Sequence, residues 1–249
     1  MPSLRLINMT QCCRLAIIIL VVGLSAGCTG PYIHSTSAYR DHDLYASVLQ
    51  QQGMAILTPS TITGQEEDKQ ALAFIFTQVL ADLRPDIRQV SLPQTLSMVN
   101  KAGLTSDYLH MYHHYRHTGI FKHNVLRQIG ELTDSRYVAQ LKLAEFEQGS
   151  RGRFGMLGLR LVDTKHANIR LFMQIWDTEE GRIVWEASHE MEYAYNTVSE
   201  SSVSFRTIVE HSAQEIISKL PQQRFSEAKP NLNTKHAVID AGTEGMDQK

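Results

Sequence analysis

Apolar positions along this chain change their period several times, and each change marks an element. A ten-residue apolar run comes first, residues 15–24 (LAIIILVVGL), followed by Ser25, Ala26, Gly27 and Cys28. Arg5 and Arg14 precede it, with no acidic residue among them. A basic lead, a short apolar stretch and small residues at a processing point are the three parts of an export signal. The run falls short of the roughly 20 residues that a bilayer-spanning helix needs. Residues 29–50 are polar, hold Gly30, Pro31 and several Ser and Thr, and keep no sustained period. They read as a flexible tether, with a first helix over 43–52 as the alternative.

Residues 53–57 (GMAIL), closed by Thr58, Pro59 and Ser60, predict a buried strand. Thr63, Gly64, Gln65 and Glu66 match a capping box. Leu72, Ile75, Phe76, Val79, Leu80 and Leu83 then follow at helical spacing until Pro85. Residues 87–92 are a second strand candidate, and 94–103 a short helix ending at Gly103. Ser106 is placed to cap a helix in which Tyr108, Tyr112 and Tyr115 share one narrow arc, at about 100° per residue. His110, His113, His114 and His117 take the opposite arc. Beyond Gly119, the spacing of Val125, Leu126, Ile129 and Leu132 predicts another helix, ended by a turn at Asp134 and Ser135. Residues 137–147 alternate as a strand, with Tyr137, Ala139, Leu141 and Leu143 on one face. Glycine recurs at 149, 152, 155 and 158, which predicts a mobile loop over 148–158. Strands over 157–162 and 169–176 follow, then a hairpin turn from Asp177 to Gly181 and a returning strand over 182–193. Ser202 or Ser204 caps a last helix carrying Phe205, Ile208, Val209, Ile216, Ile217 and Leu220, stopped by Pro221. Residues 222–249 hold little apolar material and read as a disordered tail.

Composition narrows the chemistry. The full chain has a formal charge of −2, and loss of residues 1–27 with Arg5 and Arg14 takes it to −4. A mildly acidic chain lacks the broad positive footprint that nucleic acid binding draws on, so no nucleic-acid partner is expected. The cysteines are Cys12, Cys13 and Cys28. The first two leave with the signal, so the remainder has no disulfide and no cysteine metal site. No G-x-S-x-G, H-E-x-x-H or phosphate-loop pattern occurs, and the expectation is a protein that is not an enzyme.

The histidine arc is the sharpest chemical signal. His110 with His114, and His113 with His117, are i,i+4 pairs of a kind that chelates zinc or copper through imidazole nitrogens, with His123 near enough to join. The competing reading is a solvated face that gains charge in mild acid. Arg151 and Arg153 lie in the glycine-rich stretch, where exposed backbone amides can hold a phosphate or lipid headgroup. A solvated loop is the plainer reading there. The tyrosine stripe reads as core, and Trp176 and Trp185 as sheet packing.

The run Leu24-Ser25-Ala26-Gly27-Cys28 resembles the lipobox of bacterial lipoproteins, with Ser25 where that family usually has Leu. The resemblance implies that Cys28 is the lipidation site and new N-terminus, carrying a covalent lipid such as palmitate. Thr29 in place of Asp then implies the outer membrane, with the domain facing the periplasm. The chain divides accordingly into a signal peptide (1–27), a lipidated tether (28–52), an α/β domain (53–221) and a tail (222–249).

Three further stretches are similar to the curli assembly and transport lipoprotein family. Its relatives include the penicillin-binding-protein activator lipoproteins and the amino-terminal domain of the Tol translocation protein. Gln128-Ile129-Gly130-Glu131-Leu132 with Tyr137-Val138-Ala139 resembles the family's helix-to-strand step. Gln174-Ile175-Trp176-Asp177, with Gly181, Ile183 and Trp185, resembles its hairpin, and residues 53–59 with the following helix resemble its first strand and helix. The resemblance implies an α/β (α+β) fold of the anticodon-binding-like kind: a mixed, mainly antiparallel sheet with packed helices. It implies a non-catalytic envelope protein with protein partners, as an assembly module, a synthase activator or a secretion channel, with a homo-oligomer among the arrangements. Membrane strands need about 9–11 alternating residues. The predicted strand at 157–162 is shorter and holds Arg160, which disfavours the channel. A metal- or pH-sensing module built on the histidine helix is the reading from a different class.

Overall fold

The computed structural model describes residues 32–156, 159–197 and 204–222, with side chains over 150–164 and 195–197 left aside. The export signal, Cys28 and the tail from 223 onward lie outside the described residues. The elements in chain order are β1 (Tyr32–Asp41), α1 (Ala46–Gln52), β2 (Met54–Ile56), β3 (Ser60–Thr61), α2 (Glu66–Leu83), β4 (Gln89–Val90), α3 (Leu92–Lys101), α4 (Thr105–Thr118), α5 (His123–Thr133), β5 (Tyr137–Met156), β6 (Leu159–Asp177), β7 (Arg182–Thr197) and α6 (Phe205–Ser218). The strands make one mixed sheet in the order β1-β7-β6-β5-β2-β4, with β3 also paired to β5. The long strands β5, β6, β7 and β1 are antiparallel neighbours, whereas β2, β3 and β4 run parallel to theirs. This is the α/β fold expected from the alternation of periods.

Strand alternation splits the interior in two. Tyr137, Ala139, Leu141 and Leu143 of β5 join Met54, Ile56, Met173, Ile175 and Trp185 on one face. There α2 lays down Leu72, Phe76 and Leu80, and α6 lays down Ile208, Ile216 and Ile217. Val138, Ala55 and Trp176 point the other way and are covered by α3, α4 and α5 through Val99, Met111, Leu126 and Ile129. Each large side chain buried this way contributes about 1.5–3 kcal/mol relative to exposure. The two tryptophans are therefore packing residues on opposite faces.

Four local expectations need correction. The tether contains β1, paired along its whole length with β7, and α1, so the ordered body takes in residues 32–52. The Thr63 box does not form. Gln65 occupies the cap of α2 without a side-chain bond, and the Thr63 hydroxyl donates to Asp68 at 2.6 Å. The capping box stands instead at α3, where Ser91 and Gln94 satisfy each other's amides, and α4 starts at Thr105 without help from Ser106. Finally, the glycine-rich stretch is strand through Met156 and not a loop, and the pieces read as 157–162 and 169–176 are one strand, β6. The register of β5 against β6 slips between Leu143 and Glu145 and twice near Phe154, which places irregularities where glycines cluster. At Gly149 the His166 ring lies 2.5 Å from where a Cβ would be, so a side chain there would have to displace that ring.

Candidate functional site

The four-stranded part of the sheet runs past the helices, and its outer edge is β1. All ten residues of β1 are exposed. Tyr32, Ile33 and Tyr39 stand 62%, 45% and 56% exposed. Soluble proteins usually blunt such an edge with Lys, Pro or a bulge. Over residues 32–41 there is no Lys and no Pro, and the pairing with β7 runs without a register shift. The flanking sheet face is laced with charge: Arg170 of β6 binds Glu190 of β7 and reaches Glu145 of β5 at 3.3 Å, and Arg40 of β1 lies 3.7 Å from Glu186. These cross-strand pairs keep that face wet, and among the described residues no strand pairs with the outer edge of β1. Sequence reading missed β1 because an edge strand that buries neither face shows no period of two. Its Tyr, Ile and Thr content was the available signal.

Beneath β1 sits His189 of β7, fully buried and hydrogen-bonded through Nδ1 to Ser37 of β1 at 2.8 Å. Its Nε2 has no partner among the described residues. Burial under the sheet and α6 pushes its pKa below the ordinary 6.5, with His211 and Lys219 adding to the shift and Glu215 opposing it. A depressed histidine pKa gives stability that is fully present above the unfolded value and is lost as pH falls through it. Stability is therefore expected to drop from pH 7.5 to pH 5.5, and His189→Gln to flatten that drop. Urea unfolding at the two pH values checks this, and an unchanged slope in the variant would remove His189 as the cause.

The tyrosine stripe of α4 is core with a polar task. Tyr108 accepts from the Thr58 amide at 2.9 Å, Tyr112 donates to the Pro59 carbonyl at 2.7 Å, and Tyr115 donates to Gln174 at 3.0 Å. The three hydroxyls thus pin α4 to the irregular link between β2 and β3 and to β6. Burial raises the Tyr108 pKa and pushes Tyr115 up to about 12, so both of these hydroxyls stay protonated at neutral pH. Tyr115 also stacks on Phe121 at 4.2 Å between ring centres, and both meet the Trp176 ring edge-on.

The opposite arc is exposed at His110, His113 and His117. His114 is engaged: its Nδ1 lies 2.8 Å from the Ile120 carbonyl, closing the end of α4. His123 does not approach them, since its Nε2 donates to the Glu179 carbonyl at 2.8 Å in the β6–β7 turn. Among the described residues no group of three or more His, Cys, Asp or Glu is placed to hold a metal ion. Arg151 and Arg153 belong to β5, paired at Arg151 with Thr164. The stretch read as a solvated loop, with a phosphate contact as the alternative, is therefore a strand.

The turn between β6 and β7 is built by Asp177. One carboxylate oxygen accepts the amides of Glu179 and Glu180 at 2.9 and 3.1 Å, and the other accepts Arg136 Nε at 2.8 Å. Gly181 closes the turn at φ 69°, with the His123 ring 2.7 Å from where a Cβ would stand. This carboxylate bond raises the Arg136 pKa, despite the opposing effect of burial.

No family model and no curated protein sequence matches this chain. Solved structures resemble it in part. The PelC dodecamer from Paraburkholderia phytofirmans aligns at TM-score 0.45 with 10% identity, over 77% of this chain and 100% of that one. Lipoprotein GNA1162 from Neisseria meningitidis aligns at 0.36 with 8% identity, over 67% and 95%. The LpoB C-terminal domain from Salmonella enterica aligns at 0.33 with 14% identity, over 58% and 95%. Among the described residues no helix is long and apolar enough to cross a membrane.

Proposed function

We propose that this chain is an outer-membrane lipoprotein, anchored through Cys28, whose periplasmic α/β domain works without catalysis by binding an envelope protein along the β1 edge. The observation that carries the reading is β1 itself: a ten-residue edge strand, exposed throughout, with no Lys, no Pro and no bulge. An extended partner segment added to such an edge gains main-chain hydrogen bonds, and Tyr32, Ile33 and Tyr39 offer contact area for side-chain selection. The test is a photoreactive residue at position 39 or 33 in cells, with the equally exposed position 109 of α4 as control. Adducts to an envelope protein or to a second copy are expected from 39 and 33 and not from 109, and Cys28→Ser is expected to leave the membrane fraction. Bare monomer at all three positions would overturn the edge as the working surface.

Strand length favours a second reading, the secretion channel. β5, β6 and β7 have 20, 19 and 16 residues, so the objection from a short strand falls. A lipid-facing band also needs sustained apolar alternation. Residues 148–165 place Arg151, Arg153, Arg160, Asp163 and Lys165 within it. Single-channel conductance in a planar bilayer separates the two readings.

A further inference from the structure

The second face of the sheet also holds a cleft. It has a volume of about 460 Å³, and its walls come from β3 (Ser60, Thr61), the last turn of α4 (Tyr115, Arg116) and β5 (Lys142, Leu143). No carboxylate lines it, although the chain as a whole is acidic. Arg116 and Lys142 are both exposed, and neither has an ion pair with any described residue. Lys142 Nζ lies over the Phe172 ring at 5.9 Å, a cation–π contact that stabilises the ammonium without supplying a counter-charge. The carboxylate next along β5, Glu145, is turned to Arg170 at 3.3 Å and does not quench the pair.

Two unpaired cations in one concavity, with two hydroxyl groups between elements, make a recognisable pattern. Arg116 offers a planar fork of N–H donors and Lys142 a compact point charge, the combination suited to a group with several oxygens sharing more than one negative charge. The end of α4 at Gly119 adds roughly half a negative unit. Two full positive charges outweigh it. We propose that this cleft binds the phosphate group of a small organic phosphate, carried either by a soluble ester or by the headgroup of an anionic lipid. A phosphate ester with close to two negative charges balances the two cations, where a single carboxylate leaves one over. The volume exceeds that of phosphate alone, and Ile62, Tyr115 and Ala144 give the ester's carbon part a largely apolar wall.

The test uses the full chain in non-ionic detergent. Glycerol 3-phosphate and dioctanoyl phosphatidic acid, a lipid whose headgroup is a phosphomonoester, are each titrated by calorimetry. Saturable binding of glycerol 3-phosphate identifies a soluble ester, and binding of dioctanoyl phosphatidic acid without it identifies a headgroup. In either arm Arg116→Gln and Lys142→Gln are each expected to weaken binding about tenfold, the scale of one hydrogen bond to a charged group. Lys101→Gln, an exposed cation on α3, is expected to change nothing. Both substitutions fall on exposed side chains, and unchanged circular dichroism separates lost binding from lost fold. The proposal is overturned if neither probe binds, if Lys101→Gln weakens binding as much as the cleft variants, or if glutarate binds where phosphate does not.

Discussion

Asp177→Ala is expected to lower the unfolding free energy by about 2–5 kcal/mol, because two turn amides lose their acceptor at about 1–3 kcal/mol each. The Asp177 side chain is 2% exposed, and three donors converge on it: Arg136 Nε and the amides of Glu179 and Glu180. Alanine strands two turn amides and leaves Arg136 with Glu179 and Glu180, whose exposed side chains return little. Asp177→Asn keeps an acceptor for the amides and removes the charge, so an intermediate loss of about 1.5–3 kcal/mol is expected. Urea denaturation followed by circular dichroism gives both values. A loss under about 1 kcal/mol for alanine would mean that water replaces the carboxylate at little cost, against the burial observed.

Gly130→Ala is the second large effect, and its sign is the informative part. Inside a helix, glycine is worse than alanine by roughly 0.5–1 kcal/mol, so this change ordinarily stabilises. Here a Cβ would lie 2.3 Å from Thr178 Oγ1, 2.8 Å from Thr178 Cβ and 3.0 Å from the Ser135 carbonyl. Thr178 cannot swing aside without cost: it is buried and its hydroxyl donates to the Arg136 carbonyl at 2.8 Å. Overpacking of this kind costs about 1–3 kcal/mol, so a net loss near 2 kcal/mol is expected. Combining it with Thr178→Ala removes one of the three clashes, and the double variant is expected to be more stable than the sum of its singles. Thermal melts of the four chains measure that coupling. A stabilised Gly130→Ala would show that α5 lifts off the turn freely.

These two residues explain why the stretches around 128–132 and 174–185 occur together in the chain. They are one contact, with α5 resting at Gly130 on the β6–β7 turn that Asp177 ties down and His123 lying across Gly181. The motif's separate pieces carried a resemblance, and the reason for the glycine appears only where Thr178 of the turn fills the space a Cβ would need.

Most elements were legible because each buries one side. The apolar faces of α2, α5 and α6, the alternation of residues 137–143 and the turn at 177–181 all follow from a local period meeting a core. The tyrosine arc was legible as core for the same reason, but its hydroxyl partners at Thr58, Pro59 and Gln174 were not, since they lie about 50 or more residues away. Strand β1 left no period because it buries neither face and is held by backbone pairing to β7, some 150 residues on. Glycines hid the far half of β5 because they fall beside register shifts and beneath the His166 ring. The histidine arc was correct as a face and uninformative as a site, for the carbonyl that engages His114 is set by how the chain turns after α4. By itself, then, the chain determined which residues face a core and where the helices and turns fall. Which edge stays open, and which two cations share a cleft, were decided by pairings between distant segments, because no local period records them.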